Sequence, residues 1–471
     1  MDFDTLKKYG QEQVLAFWDE LDEAGKAQLE KQLDAIDLEH LGELIEEYVK
    51  VKPDITIPAD LSPAQFYPLK PASAEQEALY KKATAKGVEL VSGGKVAALT
   101  VAGGQGSRLG FDGPKGTYPI APVTGKTLFQ YFAESIARYR EKYSTSLNWY
   151  IMTSALNHQQ TVDFFTENDF FGLGADTIFF FTQGTMPAIS YDGKLLLAEK
   201  DSLALAPDGH GGTLLALKNS GCLEKMKADG VEYISYFQVD NPLVSIVNEL
   251  FIGLHALEGS EMSAIMLSKT GPYEKLGNFC MSQGRLQIIE YSDLPDDLAE
   301  QRNPDGTLSF IAGSPAIHVI SREFVERLTA RGRLDLPWHR ADKKVPYLEP
   351  DGNLISPEEP NAVKLEAFIF DALPLAEKTV ILEAAREEEF APTKNKTGVD
   401  SVESCREMMI ERDCSRLERV GVKVPRDSEC KPACPVEISP RIIVDDADAA
   451  AWCAANNISE LSVNPEGIYL K

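Results

Sequence analysis

LTVAGGQGSRLGFDGPKG, residues 99–116, passes from an apolar strand end into a glycine-rich loop. Gly103, Gly104, Gly106 and Gly110 remove Cβ obstruction, so consecutive backbone N–H groups can converge on a nucleotide or its phosphates. Arg108 and Lys115 add fixed positive charge on either side. Two commoner nucleotide loops fail on spacing. The dinucleotide fingerprint G-x-G-x-x-G requires glycine at 109, where Leu109 stands. A Walker A loop ending in Gly125-Lys126-Thr127 requires glycine at 120, occupied by Ile120, so this string reads as a helix start.

Working outward, the strand ending at Val101 is followed by an amphipathic helix with Leu128, Phe132, Ile136, Tyr139 and Tyr143 on one face, then a strand at 147–153. This is a βαβ unit. The alternation continues through 177–181, 232–239, a helix at 246–257 and 262–267, which predicts an α/β fold with a mostly parallel sheet. Ligands then bind beyond the C-terminal ends of the strands. Upstream, residues 4–51 carry Leu15, Phe17, Trp18, Leu21, Leu29, Leu33 and Ile36 at helical spacing. Five prolines from Pro53 to Pro71 form a linker, a helix follows near 75–86, and Gly87 is expected to stop it. The reading gives a helical arm and linker over 1–87, a central domain over 88–423, and a small, β-rich terminal domain over 424–471.

The 471 residues suffice for a full core, with 44% hydrophobic and 25% charged residues. The 73 acidic against 47 basic residues give a net charge of -26, which repels nucleic-acid backbones and anionic lipid. No nucleic-acid or membrane partner is expected, and any polyanionic substrate needs a local basic pocket. The first ten residues contain no apolar signal core, and no run of about 18 apolar residues occurs. Seven cysteines, an odd number, argue for a reducing compartment, the cytoplasm by default. Cys405, Cys414, Cys430 and Cys434 lack the C-x2-C knuckle of a zinc site and read as reduced structural thiols.

The 99–116 string resembles the signature of sugar-nucleotide pyrophosphorylases, A-G-G-x-G-T/S-R-L-G followed by P-K-G. Further strings are similar to the eukaryotic UDP-N-acetylglucosamine pyrophosphorylase branch: WYIMTS at 149–154, Gln183-Gly184 before Pro187-Ala188, APDGHGG at 206–212 and VDNPLV at 239–244. The blocks continue with IIEYSD at 288–293, the long segment 365–395 and VEISPRI at 436–442. This resemblance implies a nucleotide-diphosphosugar transferase (GT-A-like) sheet and a uridylyltransferase (EC 2.7.7 type). It would form a UDP-sugar and pyrophosphate from UTP and a sugar 1-phosphate, with N-acetylglucosamine 1-phosphate as first choice.

By the same resemblance, Gly103, Gly104, Gln183, Gly209 and Lys364 hold the nucleotide, with the Gln183 amide donating to and accepting from the uracil edge. Arg108 and Lys115 clamp the departing phosphates, and Lys394 reaches them from the sugar side. Asp240, at a strand end, holds Mg²⁺ against the phosphates. His210, Gly277, Glu290 and Ser314 surround the sugar. Two positions depart from the family pattern. His210 replaces the Asn of A-P-D-G-N-G-G, and Ser314 replaces the Asn of N-A-G-N. A UDP-glucose or broad UDP-sugar pyrophosphorylase therefore stays open. So do a glycosyltransferase, which normally carries D-x-D where Asp240-Asn241-Pro242 stands, and a catalytically silent sugar-nucleotide sensor. The oligomeric state is not fixed by the sequence.

Overall fold

A computed structural model describes residues 3–53 and 57–471; Met1 and Asp2, where the signal-free reading of the first ten positions begins, lie outside the described residues, as do 54–56. The chain divides into two compact units. One is built from Met1–Ile57, Gln183–Leu215 and Arg333–Asp371, the other from Pro58–Thr182, Ala216–Gly332 and Ala372–Lys471.

The larger unit has the expected α/β architecture. Its sheet contains β1 (Val96–Val101), β2 (Trp149–Thr153), β3 (Ile178–Thr182), β4 (Tyr233–Gln238), β5 (Met262–Ser268), β6 (Gly277–Ser282), β7 (Arg285–Ile289), β8 (Ala312–Ser314), β9 (His318–Ser321) and β10 (Thr379–Glu383). The central order is β6-β8-β5-β9-β4-β1-β2-β3, with β7 on β6, β10 on β5, and the short strand Ser62–Pro63 at the β6 edge. Strands β4, β1, β2 and β3 run parallel. Because β9 is antiparallel to both β4 and β5, these two point the same way, and the C-terminal ends of β1, β4 and β5 share one edge. The chain leaves β1 toward β2 on one side and reaches β4 on the other, so the topological switch point lies between β1 and β4. All six residues of β1 and all five of β2 are buried, as strands covered on both faces should be.

Helix α1 (Ala74–Ser92), α2 (Leu128–Tyr143) and α3 (Glu249–Glu258) cover this sheet. In α2 the apolar stripe read from the sequence is buried, and each such side chain contributes about 1.5–3 kcal/mol. Thr127 caps its start by accepting from Gln130 N, which is the role expected for the GKT string. Gly87 does not stop α1, contrary to the sequence expectation. It sits where α1 crosses α3, and a Cβ there would come 1.9 Å from the Glu249 carbonyl oxygen. Close helix approach, not a turn, accounts for this glycine. Toward the C-terminus, Val436–Ile438 pairs with Ile468–Leu470, and both pack on the helices Val402–Arg419 and Asp446–Ala455.

In the smaller unit the helices Glu23–Asp34 and Leu38–Leu44 lay Leu29, Leu33, Leu41 and Leu44 on Ile189, Leu195, Leu197, Val363 and Leu365. The sheet beneath is three-stranded and antiparallel: His339–Lys343, Ala362–Glu366, Ile189–Ser190. Along residues 363–370 the period of two is strict. Val363, Leu365, Ala367 and Ile369 are buried, whereas Lys364, Glu366, Phe368 and Phe370 stay partly exposed.

Candidate active site

The glycine-rich loop leaves β1 at the switch point and is held open by its neighbours. Asn157, fully buried, donates from Nδ2 to Ala102 O at 2.9 Å and Gly104 O at 3.3 Å, and Lys115 N–H donates to Gly104 O at 3.1 Å. These bonds satisfy carbonyls. The amides of Gly103, Gly104 and Gln105 donate to nothing among the described residues, which leaves a row of N–H groups for an anion. Arg108 is exposed and has no ion-pair partner there either.

One strand over, Asp240 follows β4. Its carbonyl oxygen accepts from Thr393 N at 2.8 Å, and its carboxylate Oδ2 lies 3.7 Å from Lys115 Nζ, with both side chains mostly buried. Neighbouring Asn241 is turned inward, donating to Glu389 O at 2.7 Å and accepting from Ala391 N at 2.9 Å. Asp240 is thus a lone carboxylate; no group of three or more His, Cys, Asp or Glu side chains suited to a metal occurs among the described residues. A hard oxygen donor of this kind fits Mg²⁺ when phosphate oxygens and water complete the shell.

The Thr393 bond to Asp240 also anchors the basic segment that follows. Lys394 pairs with Asp400 at 3.6 Å. Lys396, not singled out in the sequence, lies against the end of the glycine loop: a Cβ on Gly110 would be 3.6 Å from Lys396 Cδ. Its ammonium has no ion-pair partner among the described residues. The only sequence signal for it was the doubled cation of Lys394-Asn395-Lys396.

Gly277, Glu290 and Ser314 lie close together in the larger unit. Gly277 and Ser314 are cross-strand partners of β6 and β8, and the ladder grows from the C-terminal end of β5 through the Leu267–Gly313 pair. Glu290, one residue past β7, brings Oε1 to 4.0 Å from where a Gly277 Cβ would stand. Below them the buried Lys269 donates from Nζ to Asn278 Oδ1. The three residues occupy the same sheet edge as Gly103 and Asp240.

The smaller unit carries the other group. Gln183 donates from Nε2 to Gly209 O at 2.7 Å, which engages one of the two N–H groups of its amide. His210 accepts at Nδ1 from Ile369 N at 3.2 Å, which places its proton on Nε2. Its ring stacks on Phe368, centroids 5.2 Å apart, and meets Phe370 edge-on at 5.8 Å. Burial, then the nearby His339, pushes its pKa down to about 4, so the imidazole is neutral. His339 in turn bonds Asp371 at 2.7 Å. Lys364, on the strand Ala362–Glu366, is partly exposed, as are Phe368 and Phe370 beyond the strand's end. These two aromatics were missed because alternation alone reads them as ordinary packing.

Comparison with known proteins follows this geometry. Residues 50–438 match the UTP–glucose-1-phosphate uridylyltransferase family. The chain is similar to human UDP-N-acetylhexosamine pyrophosphorylase-like protein 1, 38% identical over 84% of this chain and 80% of that protein. It is 34% identical to Arabidopsis thaliana UDP-N-acetylglucosamine diphosphorylase 2, over 86% of this chain and 82% of the relative. The fold is shared with the crystal structure of the Trypanosoma brucei UDP-N-acetylglucosamine pyrophosphorylase, with a TM-score of 0.84 at 24% identity, covering 99% of this chain and 97% of that one.

Proposed function

The chain belongs to the UTP–glucose-1-phosphate uridylyltransferase family and is a uridylyltransferase, and from that premise we propose that it joins UTP to N-acetylglucosamine 1-phosphate, forming UDP-N-acetylglucosamine and pyrophosphate. The observation that carries the chemistry is the free amide row of Gly103, Gly104 and Gln105 beside Arg108 and the Lys115–Asp240 pair. Attack of the sugar phosphate on the α-phosphorus of UTP needs no protein base, since the nucleophile is anionic at neutral pH. Catalysis is then positioning and charge neutralisation. Arg108 and Lys115 hold the leaving pyrophosphate, and Lys394 steadies the reacting phosphates. Asp240 would hold Mg²⁺, which supplies further neutralisation of phosphate charge.

Gln183 reads uracil, Gly209 and Lys364 support the nucleotide, and His210, Gly277, Glu290 and Ser314 line the sugar side. Pro242, which stands where the second carboxylate of D-x-D would be, has no side-chain oxygen for a metal, and this speaks against a glycosyltransferase. The seven thiols are unpaired and six are buried, which fits a reducing compartment, the cytoplasm. No helix among the described residues is long and apolar enough to cross a membrane. The reading is tested by a coupled pyrophosphate assay with UTP, Mg²⁺ and a panel of hexose 1-phosphates. N-acetylglucosamine 1-phosphate is expected to turn over, and silence across the whole panel would leave the sensor reading in its place.

A further inference from the structure

Strands β1 and β2 pair in parallel from Ala98–Trp149 to Val101–Met152, and one more rung follows, from Ala102 N–H to Met152 O at 2.8 Å. A regular parallel ladder would continue with Ser154 N–H donating to Ala102 O. Here the rung is opened by a side chain. Ser154 N–H donates to Asn157 Oδ1 at 2.8 Å, and Asn157 Nδ2 donates to Ala102 O at 2.9 Å, so the asparagine amide is inserted into the ladder as a peptide group would be. Its orientation is fixed by chemistry: the Ser154 N–H and, at 3.1 Å, the Ser154 hydroxyl both donate to the oxygen end, which leaves the NH₂ end for carbonyls.

Asn157 is fully buried and stands at the N-cap of the helix His158–Glu167. An asparagine there ordinarily gives its side-chain oxygen to an amide of the first turn, but this one makes no capping bond. Its hydrogen bonds go to the glycine loop instead. Nδ2 also reaches Gly104 O at 3.3 Å. In a planar trans peptide the C=O and the following N–H point in opposite directions. Holding Ala102 O therefore directs Gly103 N–H away from Asn157, and holding Gly104 O does the same for Gln105 N–H. The second of these peptides is shared, because Lys115 N–H also donates to Gly104 O. The first is not: among the described residues nothing but Asn157 bonds either the Ala102 carbonyl or the Gly103 N–H.

We propose that Asn157 is a positioning residue that aims Gly103 N–H and, together with Lys115 N–H, Gln105 N–H at the phosphates of the nucleotide. The inference rests on the amide row being the seat of those phosphates. Without the Asn157 donors the 102–103 peptide is free to turn, and the row loses its first member.

The test measures equilibrium binding of Mg²⁺–UTP, inhibition by uridine, and KM for UTP and for the sugar 1-phosphate. It compares wild type, Asn157→Asp, Asn157→Ala and Gly104→Ala, with the thermal midpoint followed alongside. Asn157→Asp keeps the size of the side chain and the bonds from Ser154, but when ionised, at about pH 8, it has no N–H for Ala102 O. Asn157→Ala removes the donors without adding charge. Gly104→Ala probes the row itself, because a Cβ there meets no protein atom within 4 Å and would stand only in open space. Both Asn157 variants are expected to bind UTP about tenfold or more weakly, with a matching rise in UTP KM. Inhibition by uridine, which has no phosphates, and the sugar phosphate KM should stay within about threefold of wild type. Unchanged UTP affinity in folded Asn157→Ala, a loss confined to the charged Asn157→Asp, or an equal loss for UTP and uridine overturns the proposal. If Asn157→Ala fails to fold, Asn157→Leu, equally uncharged and close in size to asparagine, takes its place. If Gly104→Ala loses UTP while the Asn157 variants keep it, only the role of Asn157 falls; if Gly104→Ala keeps UTP as well, the amide-row reading falls with it.

Discussion

Lys115 Nζ lies 3.7 Å from Asp240 Oδ2, joining the loop after β1 to the end of the adjacent strand β4. The cation proposed for the leaving phosphates and the carboxylate proposed for the metal therefore neutralise one another until a nucleotide brings both partners of its own. Removing either member unbalances the other.

Lys115→Ala should act mainly on kcat, because the lysine meets charge that grows as pyrophosphate departs. A loss of about a hundredfold or more is the scale for one electrostatic stabiliser. Steady-state kinetics at saturating UTP check this. An unchanged rate would reduce Lys115 to a partner of Asp240 alone.

Asp240→Asn should raise the half-saturating Mg²⁺ concentration by about tenfold or more while Lys115→Ala leaves it the same or lower. Magnesium titration of initial rates separates the two. Equal magnesium dependence in both variants would contradict the separate roles.

His210 should stay neutral through the working pH range. Its folded pKa is lowered from 6.5 to about 4, so folding favours the uncharged ring. The associated stability is present above about pH 6.5 and is lost as pH falls through about 4. Its imidazole signals should show no titration between about pH 5 and 8. With a single N–H donor where the family has an amide, 2-acetamido and plain hexose 1-phosphates are expected to differ by less than about a hundredfold in kcat/KM, a gap under about 2.7 kcal/mol. A preference of several thousandfold would show that other residues read the sugar.

Asp208 gives a stability effect of the opposite sense. Its folded pKa, about 6, stands above the ordinary 3.8, so the protonated form is favoured by folding. That stability is complete below about pH 3.8 and is lost as pH rises through about 6, leaving the ionised form costing about 3 kcal/mol. The midpoint of Asp208→Asn should therefore exceed that of wild type at pH 7, with the difference shrinking toward pH 4. A lower midpoint for the variant at pH 7 would contradict this.

The glycine loop and the strand-end carboxylate of the candidate site were legible as local features. Glycines at 103, 104, 106 and 110 permit the loop, and a carboxylate at the end of β4 needs only the strand to be placed. The smaller unit was not legible as a body, because its sheet pairs Ile189 with Val363 and Ala341 with Lys364 across long stretches of chain. Gly87 misled for the same reason: a helix crossing with Glu249 leaves no mark in the neighbouring residues. The burial of Asp208 leaves no mark within APDGHGG, since it depends on Gly184 and Gly212 lacking side chains around it. Lys396 could be counted as a cation, but its position over Gly110 follows from the Thr393–Asp240 bond.

The most direct test follows both products of the forward reaction by phosphorus NMR, with UTP, N-acetylglucosamine 1-phosphate and Mg²⁺ as the only substrates and cofactor. The account predicts one UDP-N-acetylglucosamine for each pyrophosphate, and far less product when CTP replaces UTP. Absence of both signals with every hexose 1-phosphate tried, in folded protein that still binds UTP, would contradict it.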